Sequence, residues 1–211
     1  MEDKPKKKKP SYKKIKDLGE GAMGQVSLVE CDLDGQLYAK KEIDCKHMDE
    51  EDRNASLNEA RIMKALCHPN IVGYKECYKT KKSVLCIVME YVDGGDLDGE
   101  IKKRAKTKDY FSEEEVLRMF TQISLALKHS HARRILHRDL KSQNVMCMKD
   151  GTIKLGDFGV GRILSDTKSK AQTVIGTPYY LSPEIILGKA YRFETDIWSL
   201  GILLYEICAL K

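Results

Sequence analysis

His137-Arg138-Asp139-Leu140-Lys141-Ser142-Gln143-Asn144 is a run of charged and amide side chains set between the apolar pairs Ile135-Leu136 and Val145-Met146. It fits H-R-D-L-x-x-x-N, with Lys two residues after the Asp. A solvated charged loop does not explain why so polar a segment should be bracketed so tightly by apolar residues. Downstream, Val145 to Met148 and Ile153 to Leu155 read as two short strands joined across Asp150-Gly151, a strong hairpin signal. With the turn at Lys149 to Thr152, Met148 falls opposite Ile153, and counting back sets Asn144 opposite Asp157. An amide oxygen and a carboxylate at one end of a hairpin suit Mg²⁺, a hard cation that keeps several waters and shares its shell with substrate phosphates. Asp157 opens Asp157-Phe158-Gly159, a weak signal as a tripeptide and a strong one at this address.

Toward the N-terminus, Tyr12 to Tyr91 reads mostly as short strands. Gln25 to Cys31 and Leu37 to Ile43 join through Asp34-Gly35, and Ile71 to Tyr78 pairs with Val84 to Tyr91 across Thr80-Lys81-Lys82. One helix interrupts them, from about Asp49 to Leu66, with acids in its first turn and Pro69 beyond its end. Its inner face reads Glu59, Ile62, Met63, Leu66, so an acid stands where an apolar residue is expected and requires a buried cation. Gly19-Glu20-Gly21-Ala22-Met23-Gly24-Gln25-Val26 fits G-x-G-x-x-G-x-V. Read as a coincidental turn it says little; read as a phosphate-closing lid it has backbone N–H groups to offer. A dinucleotide fingerprint would find its acid at Asp44 but must open a helix, and here a hairpin follows. On the next strand Tyr38-Ala39-Lys40-Lys41 turns one lysine inward and one to water, Lys41 sharing a face with Ala39. Two solvated lysines on an edge strand would be the plain reading, but an inward acid at Glu59 and an inward lysine satisfy each other.

After Asp93-Gly94-Gly95 the character turns helical, which marks this glycine pair as the joint between a strand-rich first lobe and a helical second one. The domains expected are a basic disordered leader (1–11), a first lobe (12–93) and a second lobe (94–211). Ser112-Glu113-Glu114-Glu115 is a capping box followed on one helical face by Val116, Phe120, Ile123 and Leu127. Ser182-Pro183 opens a short helix ending at Gly188, and Thr195 to Leu210 is apolar nearly all round. Of 211 residues 42% are hydrophobic and 33% charged, enough to bury a sizeable core, and no run of 18 uncharged apolar residues suggests a membrane span. The net charge is +5, of which the first ten residues supply +3 (five Lys against Glu2 and Asp3). A general nucleic-acid surface is therefore not indicated. The Lys4 to Lys9 run reads as a solvated leader or as a nuclear localisation patch. Seven cysteines, an odd number with no C-x-x-C pair, point to a reducing intracellular setting and no structural zinc.

Taken in order, the lid glycines, the inward lysine, Glu59, H-R-D-L-x-x-x-N, D-F-G and Ser182-Pro183-Glu184 (a variant of A-P-E) resemble the eukaryotic protein kinases from Tyr12 to the last residue. Asp139-Leu140-Lys141 and Gly176-Thr177-Pro178-Tyr179-Tyr180 resemble the Ser/Thr branch. Lys154 to Gly159, Met89 to Leu97 and Asp196 to Gly201 are similar to the NIMA-related (Nek) kinases. The resemblance implies an α+β, two-lobed fold with ATP in the cleft between lobes and a protein Ser or Thr as acceptor. It implies that Gly19, Glu20, Gly21, Ala22, Met23 and Gly24 cover the nucleotide and that Lys41 holds the α- and β-phosphates and pairs with Glu59. Asp139 would accept the substrate hydroxyl proton, Lys141 would steady the γ-phosphate, and Asn144 and Asp157 would bind Mg²⁺. Val26, Ala39 and Met146 would sandwich adenine. Met89 would be the gatekeeper, Glu90 and Val92 would offer backbone bonds to the base, and Asp96 would bind ribose. His137, Phe158 and Met63 look like core packing. The departures are Met23 for an aromatic at the lid tip, Gly161 for a small side chain, and Ser182 for Ala; none removes a catalytic group.

Arg138, directly before Asp139, and the Ser/Thr-bearing segment 165–177 predict a regulatory phosphate at Thr173, received by Arg138 and Arg162. A rival reading is a catalytically silent, kinase-like binding or scaffold module. The intact motif set argues against it. The C-terminus argues for it, because kinases of this type continue with several more helices and the chain is expected to be truncated, with its apolar last helix uncovered. The implied setting is cytoplasmic, with nuclear or cytoskeletal association for Nek-like chains. The sequence names no protein substrate and no oligomeric state.

Overall fold

The computed structural model describes residues 9–21, 24–158, 178–190 and 192–211. By their contacts the residues divide into two compact units, Met1–His47 with Lys75–Tyr91, and Met48–Tyr74 with Val92–Lys211.

The first unit is built on a five-stranded sheet of β1 (Tyr12–Gly21), β2 (Gly24–Cys31), β3 (Leu37–Asp44), β4 (Tyr74–Lys79) and β5 (Val84–Glu90), in the order β1-β2-β3-β5-β4. The β2–β3 hairpin closes where Asp34-Gly35 predicts. Gly35 takes φ 64° and donates to the Cys31 carbonyl at 2.9 Å, while Asp34 Oδ1 receives the Gln36 N–H at 3.0 Å. Strand period then sorts β3 as expected: Ala39, Lys41 and Ile43 are buried on one face, while Lys40 and Glu42 form a 3.2 Å ion pair on the other. In register, Lys41 lies between Val26 and Ile87, and Ala39 between Leu28 and Met89.

β4 starts at Tyr74, not at Ile71. Ile71 and Val72 are β-branched and read as strand, but their backbone is committed elsewhere: Val72 N donates to the Leu155 carbonyl at 3.0 Å, and Leu155 N donates to that of Asn70 at 2.8 Å.

The second unit contains α1 (Glu50–Ala65), α2 (Leu97–Thr107), α3 (Glu113–Ala132), α4 (Pro183–Ile186), α5 (Phe193–Ala209) and the hairpin of β6 (Val145–Cys147) and β7 (Ile153–Leu155). Asp49 caps α1, receiving the Asp52 N–H at 2.8 Å. The predicted capping box opens α3, with Ser112 N donating to Glu115 Oε2 at 2.8 Å and Glu115 N to Ser112 Oγ at 3.2 Å. The core gathers Ile123 and Leu127 of α3, Leu140, Leu155, Phe158, and Leu203 and Ile207 of α5. α5 is amphipathic in its packing rather than buried all round: Leu200, Leu203 and Ile207 face the core, while Ile197 and Tyr205 are more than half exposed. No helix among the described residues is long and apolar enough to cross a membrane.

The β6–β7 register differs by one residue from the count made on the sequence. Val145 pairs with Leu155, Met146 with Lys154 and Cys147 with Ile153. Met148 N bonds the Thr152 carbonyl at 2.8 Å and Gly151, at φ 87°, donates to Met148, so the turn holds three residues rather than four. Asn144 therefore meets Gly156, whose N–H donates to its carbonyl at 3.0 Å, and Asp157 lies one step beyond.

Candidate active site

The polar run 137–144 is positioned by one buried carboxylate. Asp196, in the first turn of α5 and fully buried, accepts the backbone N–H of His137 at 2.9 Å and of Arg138 at 3.0 Å, and its Oδ2 lies 2.7 Å from His131 Nε2. These bonds hold Arg138 in the left-handed region at φ 69°, which a residue with a Cβ adopts at a cost. His137 is completely buried and its Nε2–H donates to the Gly156 carbonyl at 3.0 Å. That bond fixes the tautomer and leaves Nδ1 as an acceptor for the Asp139 N–H at 3.4 Å. Burial holds the His137 imidazole below its ordinary pKa range, and its ring packs 4.6 Å from that of Phe158. Both rings are core, as expected.

Asp139 projects from this support with its side chain about a third exposed. Oδ2 receives Lys141 Nζ at 2.8 Å and Asn144 Nδ2 at 3.1 Å; the same Nδ2 donates to the Asp139 carbonyl at 2.6 Å. Asn144 has thus turned its amide nitrogen to Asp139, and Oδ1 is the atom it can offer a cation. A 3₁₀ turn, Ser142–Asn144, sets the spacing, and Ser142 N donates to Tyr180 Oη at 3.2 Å while Tyr180 Oη bonds Glu206. Asp157 is exposed and, at φ 49°, also left-handed. Glu59 is buried on α1, with Met63 and Leu66 on the same face. Asp96 caps α2, its Oδ1 receiving the Gly99 N–H at 2.7 Å, and lies in a bridge with Met146; Val92 is buried. Cys147 follows Met146, and burial pushes its thiol up to about 11, so it is no thiolate nucleophile at neutral pH.

In the first unit Lys41 is buried on β3 in a cross-strand row with Val26 and Ile87, and half-buried Met89 and Glu90 end β5 beside Ala39 and Tyr38. Gly19 pairs with Val26, Glu20 with Gln25 and Gly21 with Gly24. A Cβ on Gly24 would lie 2.1 Å from the Glu42 carbonyl oxygen, so only glycine permits this approach of β2 to β3. Ala22, Met23, Gly159 and Thr173 lie outside the described residues. The second unit thus brings Asp139, Lys141 and Asn144 into one hydrogen-bonded group, with Asp157 one residue beyond the Gly156 that bonds the Asn144 carbonyl, whereas Lys41 belongs to the first unit and Glu59 to the second.

The sequence reading gave Asp196 and Tyr180 no role. Asp196 did carry a signal, an acid in a helix otherwise apolar nearly all round, the same anomaly that singled out Glu59. Tyr180 stood only as the last residue of the 176–180 run, and nothing in that run gave its hydroxyl a task. Glu184, of the Ser182-Pro183-Glu184 run, receives the Thr195 hydroxyl at 2.8 Å.

Comparison with protein families matches the protein kinase domain over residues 12–211. Among curated proteins, 95% of the chain aligns at 48% identity with the mouse serine/threonine-protein kinase Nek1 and 95% at 46% with human serine/threonine-protein kinase Nek5. Mouse serine/threonine-protein kinase Nek2 aligns with 94% of the chain at 43% identity. The chain spans 16%, 28% and 46% of the length of these three relatives.

Proposed function

Because this chain belongs to the protein kinase domain family, with Nek kinases among its relatives, we propose that it transfers the γ-phosphate of ATP to a serine or threonine hydroxyl of a protein substrate. The observation that carries this reading is the Asp139 carboxylate, a third exposed, with Lys141 and Asn144 both donating to one of its oxygens. Among the described residues that leaves Oδ1 to take the proton of an incoming hydroxyl, while the ammonium of Lys141 is at hand to meet negative charge on a transferring phosphoryl group. The donor set suits magnesium: Asn144 presents an amide oxygen and Asp157 an exposed carboxylate, hard ligands few enough to leave room for water and phosphate. Mg²⁺-ATP, when bound, supplies the phosphoryl group and neutralises charge on it. Lys41 binds the α- and β-phosphates with Glu59 as its partner, and the Gly19–Gly24 lid offers backbone N–H groups to them. Val26, Ala39 and Met146 pack on adenine, Met89 bounds the base pocket, Glu90 and Val92 give it backbone bonds, and Asp96 has Oδ2 left for ribose after capping α2 through Oδ1.

Labelled phosphate from ATP should enter a casein-like protein substrate in a reaction that needs added Mg²⁺ and stops with EDTA. Transfer indifferent to EDTA, or ATP hydrolysis with no labelled protein, would overturn the reading.

Thr173 is proposed as a regulatory site within the same scheme. A phosphate there brings about −1.5 to −2 charge and would take paired bonds from the Arg138 guanidinium. Thr173→Ala should lower transfer on the order of tenfold with the melting temperature unmoved. Fully active protein whose Thr173 is unmodified by mass spectrometry would exclude the site.

A further inference from the structure

His68 lies in the loop between α1 and β4, and its ring packs on that of His129 near the end of α3, with centroids 4.9 Å apart and planes inclined by 46°. Their hydrogen bonds define the tautomers. The Asn70 backbone N–H donates to His68 Nδ1 at 3.0 Å, so that nitrogen carries a lone pair. Arg133 Nη1 lies 3.2 Å from His129 Nδ1 and 3.1 Å from the His129 carbonyl. A guanidinium can only donate, so His129 Nδ1 is an acceptor as well. Each ring is therefore the neutral Nε2–H form. A second proton on either ring must go to the nitrogen that already receives a hydrogen bond, and that bond is then lost.

Arg133, from the end of α3, is a cation acting on both rings; Lys154 of β7 is a second cation acting on His68, and His68 itself acts on His129. Burial first, and these cations second, hold both imidazoles below their ordinary range. The same cations disfavour a metal ion at this pair.

What the pair secures is a junction. Asn70, two residues after His68, donates through Nδ2 to Gln122 Oε1 of α3 at 2.7 Å and to the Ile153 carbonyl of β7 at 2.9 Å. The Asn70 and Val72 backbone bonds to Leu155 continue the seam along the strand that runs into Gly156 and Asp157. We propose that the stacked imidazoles of His68 and His129 are an acid-released pin, clipping the loop after α1 onto α3 while both are neutral and letting it go when either takes a proton. The inference rests on the packing of the second unit alone and not on the transfer reaction.

Released from the seam, both imidazoles titrate near 6.5; docked, they do so lower. The stabilisation is accordingly whole above about pH 6.5 and is lost as pH falls toward the docked values, by up to about tenfold in the docking equilibrium per proton and pH unit. Amide hydrogen exchange on the 211-residue chain at pH 7.5 and 5.5, corrected for intrinsic rates, reads this directly. Protection of peptides covering 70–72 and 153–155 should fall several-fold, by at most about tenfold for each ring, beyond any fall in α2. His129→Phe keeps a ring on His68 but removes one proton site, and the fall should shrink several-fold. An equal fall in the variant would overturn the pin. If the variant does not fold, ring titration of the wild-type chain by NMR decides: midpoints below 6.5 for both histidines support the proposal, and midpoints at or above it reject it.

Discussion

Asp139→Asn should fold normally and transfer phosphate about 10² to 10⁴ times more slowly than the wild-type chain. An amide keeps the shape of the carboxylate and can still present oxygen to Lys141 Nζ, and the bond from Asn144 to the Asp139 main chain is untouched. It cannot accept the hydroxyl proton. Because the side chain is about a third exposed, the change in stability should stay within about 1 kcal/mol. Asp157→Asn should be comparably slow for a different reason, the loss of a full charge at the proposed magnesium site, and the two can be told apart by titrating the metal. Excess Mg²⁺ should recover part of the rate in Asp157→Asn and none in Asp139→Asn. Labelled phosphate incorporation at saturating ATP, measured beside a melting curve, is the test. Either variant within threefold of wild type would remove that residue from the proposed chemistry.

Asp196→Ala is expected to cost about 1–4 kcal/mol of folding stability, because it takes the acceptor from the buried N–H of His137, at about 1–3 kcal/mol, and from the part-buried N–H of Arg138, at about 1 kcal/mol. That is a large share of the roughly 5–15 kcal/mol by which a domain is ordinarily stable. The loss of the His131 contact adds to it. Asp196→Asn retains one acceptor oxygen but sets an amide N–H against a backbone N–H, and should fall between Ala and wild type. Urea unfolding of the three proteins gives the order directly. A midpoint for Asp196→Ala indistinguishable from wild type would mean that the 137–139 backbone finds other partners and that the carboxylate is not its support.

The features legible in the sequence are those whose cause is local. Asp34-Gly35 sets a tight turn wherever it sits, Ser112 and Glu115 complete a capping box within four residues, and strand period alone separates Lys40 from Lys41. The group Asp139, Lys141 and Asn144 was legible for the same reason: five or six residues of chain can hardly separate them in space. What failed depended on distant partners or on a single residue of turn length. Ile71 and Val72 have the side chains of a strand, but hydrogen bonds to β7 decide their place. The β6–β7 register turned on whether Gly151 closes a three-residue turn, which changes every pairing by one and moves Asn144 from Asp157 to Gly156. Asp196 shows a third kind of miss. Its position on an apolar helix was visible, but the two N–H groups that need it lie 58 and 59 residues away.

The hydrogen bonds around His137 have a consequence that none of them has alone. His137 Nε2 reaches Gly156, Gly156 N reaches the Asn144 carbonyl, Asn144 Nδ2 reaches the Asp139 carbonyl, and Asp139 N returns to His137 Nδ1. Four links make a closed circuit with no free end. A shift at any one residue is passed to the other three, so the proposed proton acceptor and the segment that leads into the proposed metal ligand cannot drift apart separately. Their spacing is set by bond lengths inside the circuit and is insulated from looseness in the surrounding core.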